Sequence, residues 1–382
     1  MQIPFATSER SSIGIEWELA LVDADSGDLR QVAGYVLDAV APPGGGPHPH
    51  IRQELLLNTV EVVSGVASTV REAAEDLSRN VDLIRTVTDR LRVELMCAGT
   101  HPFSRWDMQH VTDKERYATL IDRTQWWGRQ MLIYGVHVHV GIEDRDKVLP
   151  ISRAMLAYYG HFQALSASSP FWGGKDTGYA SNRALMFQQL PTAGLPFQFE
   201  RWSELEGYVA DMMRTGVIDS FDEIRWDLRP SPKFGTLEVR ICDGSPTLAE
   251  VKSLAALTHC LVEHFSAELD AGRPLPTIPA WFAQENKWRA ARYGMDAILI
   301  LDDDGNEDLV TDDLRRLLPV LEPVAERLDC TAELAGILDI VAAGASYQRQ
   351  RAVAAASGGR LDVVVRHLVE EMRAGRPLLT TP

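Results

Sequence analysis

Cysteine is scarce in this chain of 382 residues, and long apolar runs are missing. The four cysteines, Cys97, Cys242, Cys260 and Cys330, lie far apart and form no C-x-x-C pair. This spacing indicates buried thiols in a reducing compartment rather than a disulfide framework. The first residues lack a basic segment followed by an apolar one, and no apolar stretch approaches membrane-spanning length. We therefore expect a cytoplasmic protein with no membrane partner.

Positive charge is also in deficit, since the formal net charge is −16. A field of this sign repels phosphate backbones and anionic headgroups, which argues against nucleic acid as a partner. An acidic protein can still bind ATP, provided that metal ions and nearby arginines reverse the field locally. Arginine far outnumbers lysine in the sequence. Such a site would combine acidic metal ligands with neighbouring arginines.

The pattern along the chain predicts an α+β protein with few, short strands. Capping boxes at Thr69 and Thr247 begin helical segments that run to about residues 95 and 269. Further helical patterns cover about 146–167, 201–215, 280–293 and most of 309–375. The proline- and glycine-rich segment 41–50 is typical of a loop. No composition break divides the chain, so we expect one domain over 1–382, with 306–382 as a helical C-terminal portion.

The segment Ile13–Leu19 alternates strictly between apolar and other residues. On a strand this period places Glu16 and Glu18 on one face, about 7 Å apart, with isoleucine, tryptophan and leucine on the other. Two carboxylates at this spacing suit neighbouring Mg²⁺ ions. A half-buried strand with a solvated acidic face would give the same pattern.

Two further segments repeat this arrangement. In Val136–Val140, His137 and His139 share a face behind which three valines pack. In Thr236–Ile241, Glu238 and Arg240 share a face. A carboxylate beside an arginine could be only an ion pair, but beside a nucleotide the two could hold a metal and a phosphoryl group. Three such strands predict a sheet with one face on the core and the other lining a cleft.

Two other segments add candidate residues. Glu54 and Glu61 flank an apolar run, and their odd spacing allows a shared face only if a bulge or turn intervenes. The glycine-rich segment Phe171–Tyr179 does not fit a phosphate-binding loop, because Asp176 follows Lys175 where serine or threonine is needed. We expect it to be a loop that shapes a pocket and leads to Arg183. Arg183, Arg225, Arg229 and Arg240 all lie in or beside these segments.

Ordered motifs over most of the chain resemble the type 2 glutamate–cysteine ligases, also called carboxylate–amine ligases. The motifs are Ile13–Glu18, Ala98–Phe103, Tyr134–Val140, Ser169–Arg183, Arg229–Arg240 and Glu285–Arg289. The resemblance implies the glutamine synthetase-like fold, in which a curved antiparallel sheet forms a funnel with helices on its outer face. It implies ATP and Mg²⁺ or Mn²⁺ in that funnel, and a homo-oligomer such as a dimer.

The resemblance also implies a role for each candidate residue. The implied metal ligands are Glu16, Glu18, Glu54, His137 and Glu238; the implied nucleotide-binding residues are Arg183, Arg229, Arg240 and His139; the implied catalytic residues are Arg183, Arg240 and Glu61. The implied reaction phosphorylates a carboxylate, typically the γ-carboxylate of glutamate, and an amine such as cysteine then attacks the acyl phosphate. Divalent ions and arginines would neutralise the charge that opposes phosphoryl transfer.

Other functions fit parts of the same pattern. A guanidino-kinase-like phosphotransferase would keep the metal and ATP site but stop at phosphoryl transfer. A zinc hydrolase could use His137 and His139, although few histidines follow them in the sequence. A binding protein could keep the fold and lose the chemistry, but no expected ligand position is visibly substituted. The sequence leaves the identity of the amine open.

Overall fold

The structure, a computed structural model, describes residues 2–379 and contains one large sheet and three two-stranded ones. Its strands are β1 (Ile13–Asp23), β2 (Ile51–Gln53), β3 (Thr59–Val63), β4 (Val93–Met96), β5 (Val136–Gly141), β6 (Phe171–Trp172), β7 (Lys175–Asp176), β8 (Ala193–Gly194), β9 (Arg225–Trp226), β10 (Leu228–Ser231), β11 (Thr236–Val239), β12 (Ile298–Ile300) and β13 (Glu307–Leu309). The large sheet has the order β10-β11-β5-β1-β3-β2, and β4 also pairs with β1. All its pairings are antiparallel.

Helices account for most of the remaining chain. They are α1 (Ala33–Ala39), α2 (Val70–Thr88), α3 (Glu115–Arg129), α4 (Arg145–Met155), α5 (Tyr159–Ser166), α6 (Asn182–Phe187), α7 (Trp202–Arg214), α8 (Leu248–Asp270), α9 (Ala280–Tyr293), α10 (Val310–Arg327), α11 (Thr331–Ala343), α12 (Ser346–Ala356) and α13 (Leu361–Ala374). Within residues 2–379, none of them is both long and apolar enough to cross a membrane.

One face of the large sheet carries the core. Ile15, Leu19, Val138 and Val239 are fully buried there, and α2, α4 and α8 pack against the strands. Because side chains alternate along a strand, burying these residues turns their neighbours to the opposite face. The opposite face carries the charged residues, so the period-two patterns in the sequence correctly predicted which side chains would lie together.

The C-terminal portion consists of helices α10 to α13. Here α10 and α11 pack against α8, and α13 packs against β4. A buried ion-pair network joins the elements: Arg349 of α12 contacts Glu250 of α8 at 2.8 Å and Glu371 of α13 at 2.6 Å. These contacts fasten the last helices to the helical layer behind the sheet.

Several element boundaries differ from the sequence prediction. The capping box at Thr69 is present, but α2 ends at Thr88 rather than near residue 95. Residues Val93–Met96 instead form β4, because Leu95 and Met96 are buried beside β1. The helix α3 was not predicted, whereas segment 41–50 is irregular as predicted.

Candidate active site

The three predicted strands with charged faces lie side by side as β1, β5 and β11, which confirms the sequence prediction. The register pairs Glu16 with His137, Glu18 with Glu61, Glu61 with Arg52, and Glu238 with both His139 and Arg229. Residues directly opposite each other have Cβ atoms about 5 Å apart. The antiparallel register therefore gathers carboxylates, imidazoles and guanidinium groups on one face.

Glu16, His137 and Glu238 form the first group of possible metal ligands. One donor atom from each lies within 4.8 Å of the others. Although burial alone would raise the pKa of Glu16, a 3.1 Å hydrogen bond with His137 and the charge of His139 lower it to about 2. Burial opposes ionisation of Glu238 as well, but Arg240 and Arg229 hold its pKa well below the usual value. The protein thus keeps both carboxylates of this group ionised.

Glu18, Glu61 and the same His137 form the second group, also within 4.8 Å. Burial and the neighbouring Glu54 raise the pKa of Glu18 to about 7. Burial and three nearby carboxylates raise the pKa of Glu61 well above its usual value. Glu54 lies in the turn between β2 and β3, and burial raises its pKa too. Its odd spacing from Glu61 is therefore accommodated by a turn, one of the two geometries expected.

His137 belongs to both groups. Its Nδ1 atom is 3.1 Å from Glu16, while its Nε2 atom is buried and has no hydrogen-bond partner among the described residues. Burial, followed by the charge of Arg240, lowers the pKa of His137 to about 4, so the ring is neutral near pH 7. A neutral imidazole with a free nitrogen beside carboxylates is a donor set that suits a divalent cation.

Two arginines bracket Glu238. Arg229 donates to Oε2 of Glu238, with its Nη2 atom at 2.7 Å, and Arg240 donates to Oε1. Glu238 is fully buried, and each of its oxygens faces an arginine that balances its charge. Arg240 also lines both cavities described below, so its guanidinium lies where an anion could reach it.

Arg183 approaches from α6 and is 96% buried, with 4% of its surface exposed. Its Nη1 atom donates to the carbonyl oxygens of Arg240 and Ile241 at 3.4 and 3.2 Å. Among residues 2–379, no carboxylate oxygen lies within ion-pair distance of this guanidinium. The guanidinium lies against Gly135, where an added Cβ atom would be 2.2 Å from Nη2 of Arg183 and would displace it. A buried cation without an acidic partner is suited to binding an anion.

Two adjoining cavities open over the charged face. The larger, of about 1050 Å³, is lined by Glu16, Glu18, Glu54, Glu61 and residues of the 41–50 loop. The second, of about 800 Å³, is lined by Arg183, Arg229 and an apolar wall that includes Phe187 and Leu190. The two share the wall residues Glu18, Arg52, Glu54, Arg116, His137 and Arg240. Two reactants could therefore meet at the carboxylate cluster from different sides.

The family of the chain follows from a match along nearly its full length. A sequence model of glutamate–cysteine ligase family 2 matches residues 12–367. The chain belongs to this family. A "Putative glutamate--cysteine ligase 2-2" of Paenarthrobacter aurescens (strain TC1) is 62% identical over 380 residues, covering 98% of this chain and 99% of its own. A "Putative glutamate--cysteine ligase 2" of Mycobacterium tuberculosis (strain ATCC 25618 / H37Rv) is 58% identical over 371 residues, covering 97% of each chain.

Solved structures of more distant ligases share the fold of this family member. The glutamate–cysteine ligase of Francisella tularensis, crystallised in complex with AMP, superposes with a TM-score of 0.69 at 14% identity, covering 97% of this chain and 90% of that one. The ligase PafA, in complex with the prokaryotic ubiquitin-like protein Pup, gives 0.51 at 14% identity, covering 97% and 77%. The predicted glutamine synthetase-like fold is thereby confirmed, and the family and the shared fold are those of ligases.

The predicted site residues of this family member gather around one place. Glu16, Glu18, Glu54, Glu61, His137 and Arg240 line the larger cavity, and Arg183 and Arg229 line the second. Glu238 and His139 line neither. His139 lies 3.8 Å from both Glu16 and Glu238 and hydrogen-bonds Thr236 at 3.0 Å. The roles assigned to these residues in metal binding, nucleotide binding and catalysis remain predictions.

Three residues at the site, two arginines and one aspartate, were not predicted from the sequence. Arg52 and Arg116 line both cavities, but β2 is too short and α3 too weakly patterned to have been predicted. Asp243 is buried three residues after Arg240 and binds serines behind Arg183. Its position just beyond a charged strand was the available signal, but a lone aspartate followed by glycine is typical of a turn.

Proposed function

We propose that this chain is an ATP-dependent carboxylate–amine ligase that joins a γ-glutamyl group, or that of a similar acid, to an amine such as cysteine. The main support is the pair of carboxylate–imidazole groups that share His137 and lie beside Arg183 and Arg240. Family membership and the ligase fold support the same reaction class. The expected partners are small molecules, namely the acid and the amine. The expected assembly is a homo-oligomer such as a dimer.

The residues present fit Mg²⁺ or Mn²⁺, because the unpartnered Nε2 of His137 lies among carboxylates that prefer hard cations. We infer that Glu16, His137 and Glu238 hold one ion, while Glu18 and Glu61, with Glu54 beside them, hold another. When bound, such ions neutralise the phosphate charge that opposes nucleophilic attack. Arg229 and Arg240 keep Glu238 ionised, so the first group is ready to bind a cation at neutral pH.

The proposed reaction has two steps. A carboxylate oxygen of the acid attacks the γ-phosphorus of ATP, and the bond to the ADP oxygen breaks, which leaves an acyl phosphate and ADP. The amine nitrogen then attacks the acyl carbon, and phosphate departs with the electron pair of the carbon–oxygen bond. In this proposal Arg183 and Arg240 contact the transferring phosphoryl group, and His139 and Arg229 complete the nucleotide-binding set. The acid and ATP are both anions, so the positive charges of these arginines carry much of the proposed catalysis.

The amine must lose a proton before or as it attacks. Glu61 is the proposed base, because burial and the nearby carboxylates raise its pKa well above the usual value, which makes its carboxylate a stronger proton acceptor. Glu61 also belongs to the second ligand group, so the two roles must be separated. If Glu61→Gln retains Mn²⁺ binding and ADP formation but makes little amide, the base assignment holds. If Mn²⁺ binding is lost as well, Glu61 acts as a ligand.

Product analysis tests the proposed function directly. With ATP, Mg²⁺, glutamate and a panel of amines, ADP and phosphate should appear only when an acid and an amine are both present, together with an amide seen by mass spectrometry. A stable phosphorylated product without inorganic phosphate would instead identify a phosphotransferase. Phosphate without an amide from any acid and amine pair would contradict ligation, and no turnover at all would favour a binding protein.

A further inference from the structure

Asp243 is the hub of a buried hydrogen-bond network behind Arg183. Its side chain is fully buried and lines neither cavity. Oδ2 accepts from the backbone N–H of Ser168 at 3.0 Å and from the hydroxyl of Ser169 at 2.6 Å. Oδ1 accepts from the hydroxyl of Ser181 at 2.9 Å. The carboxylate therefore has three donors and no bonded cation.

The network continues from Asp243 to the backbone of Arg183. The hydroxyl of Ser169 donates to Asp243 and accepts from the backbone N–H of Arg183 at 3.0 Å. A hydroxyl has one proton to donate, so its donation to Asp243 orients its lone pairs towards that N–H. Ser169 and Ser181 also pair as an isolated parallel bridge. The start of α6, and with it the arginine, is thus fixed relative to Asp243.

Close packing leaves Asp243 no alternative position. A Cβ atom added at Gly99 would lie 2.6 Å from Cγ of Asp243, and Asp243 itself pairs with Gly135 across an isolated bridge. Gly135 is the residue against which the guanidinium of Arg183 rests. Asp243 and the guanidinium of Arg183 therefore contact the same backbone segment at Gly135. A displacement of Asp243 would shift this segment and, with it, the guanidinium.

We propose that Asp243 is a positioning residue that holds Arg183 for its role in the reaction. The inference rests on the proposed function, in which Arg183 contacts the transferring group. Asp243 touches no substrate; it acts through Ser169 and through its negative charge, which offsets that of a buried guanidinium otherwise bonded only to carbonyl oxygens. Such charge-assisted networks lose much of their value when one member is removed.

A double-mutant cycle tests this coupling. We expect Asp243→Asn to lower kcat/KM about 10- to 100-fold, because it removes the charge while keeping the shape of the side chain. In an Arg183→Ala background, Asp243→Asn should cost less than about twofold further, since the group that it positions is gone. A residue needed only for folding would lower activity by the same factor in both backgrounds.

Controls separate the possible failures. Asp313→Asn removes a partly buried carboxylate that is bonded to His161 at 2.8 Å and lies outside both cavities. It should lower the melting temperature without changing kcat/KM of the folded protein. If Asp243→Asn does not fold, Ser169→Ala replaces it in the cycle, because it cuts the same link and leaves the carboxylate in place. Equal losses in both backgrounds, or no loss from either variant, would overturn the positioning role alone. An Arg183→Ala enzyme with full activity would overturn the proposed function at this residue and the inference with it.

Discussion

The two halves of the carboxylate cluster differ in how the protein treats their charge. Glu16 and Glu238 are matched by imidazole and guanidinium groups, and their pKa values are lowered. Glu18, Glu54 and Glu61 lie close to one another on the other side of His137, and their pKa values are raised. All five are carboxylates of one site, so the difference comes from their neighbours and not from their chemistry.

This contrast indicates which half depends on an added cation. Buried carboxylates that repel one another bind protons instead of remaining ionised, unless a positive charge is supplied. The half containing Glu16 receives that charge from the protein. In the half containing Glu18, the ion pair within residues 2–379 is the 3.9 Å contact between Glu61 and the partly exposed Arg52. A divalent cation would therefore stabilise the second half more, and proton competition should be confined to it.

The largest effect should come from removing the charge of Glu238. Glu238→Gln would leave Arg229 and Arg240 unneutralised and remove a proposed metal ligand, so we expect kcat to fall about 100- to 1000-fold. The measurement is ADP release and amide formation under saturating substrate. Glu250→Gln is the matched control, because it also breaks a buried arginine pair, with Arg349, but lies outside both cavities. Full turnover by Glu238→Gln would remove the basis for the catalytic assignment.

The pH dependence of stability should report the second half. The pKa of Glu18 rises from 4.5 to about 7, so its contribution to stability is present below pH 4.5 and is lost as the pH rises through about 7. In metal-free protein this amounts to at most about 3 kcal/mol. Glu18→Gln removes the titration, so we expect a smaller loss of unfolding free energy between pH 5 and pH 8 than in the wild type. Urea unfolding in the presence of a chelator, at pH 5 and at pH 8, measures the unfolding free energy of the wild type and of the variant.

Glu16 provides the opposite control. Its lowered pKa of about 2 makes its contribution present above pH 4.5 and lost only as the pH falls below that value. Glu16→Gln should therefore reduce the change between pH 5 and pH 8 less than Glu18→Gln does, because it removes no group that titrates there and only part of the repulsion that raises the pKa of Glu61. Added Mg²⁺ should stabilise the wild type more at pH 8 than at pH 5, because at pH 8 fewer protons compete with Mg²⁺ for the carboxylate of Glu18. Equal stabilisation at both pH values would contradict the contrast between the halves.

The sequence predicted the charged face well because that face follows from local rules. Alternation along residues 13–19, 136–140 and 236–241 is a short-range property, and burial of the valines and isoleucines fixes which side turns outward. The difference between the halves could not be predicted. It depends on strand register, which places Glu18 opposite Glu61 and Glu16 opposite His137, and register is set by contacts between distant segments.

Long-range contacts also explain the structural errors. Residues 93–96 continue a helical pattern but pair with β1, where burial outweighs helix propensity. The network around Asp243 joins residues that are over 60 positions apart in sequence, and no local pattern announces it. The residues proposed to contact the reactants were thus easier to predict than the residues that position them.

A smaller effect should follow from changing His137, which both halves share. His137→Gln removes the free Nε2 atom and the hydrogen bond that lowers the pKa of Glu16. We expect Mn²⁺ affinity to fall at least about 10-fold, measured by calorimetry or by electron paramagnetic resonance. His139→Gln is the matched control on the same strand, since His139 lies 3.8 Å from Glu16 and belongs to neither ligand group. Equal losses from the two variants would show that the imidazole nitrogen of His137 has no special role.

The smallest effect should come from Arg52, which lies at the rim between the halves. Its Nη1 atom is 3.8 Å from Glu16 and 3.9 Å from Glu61, and its side chain is 49% exposed. Ion pairs that are this long and this exposed contribute less than about 1 kcal/mol and weaken with salt. We therefore expect Arg52→Gln to change KM or Mn²⁺ affinity no more than about fivefold, and the difference from wild type to shrink between 50 mM and 500 mM NaCl. A loss of activity as large as that of Glu238→Gln, and unchanged by salt, would contradict this. It would mean that Arg52 is shielded from solvent in the working enzyme, and that the protein itself neutralises the half containing Glu18.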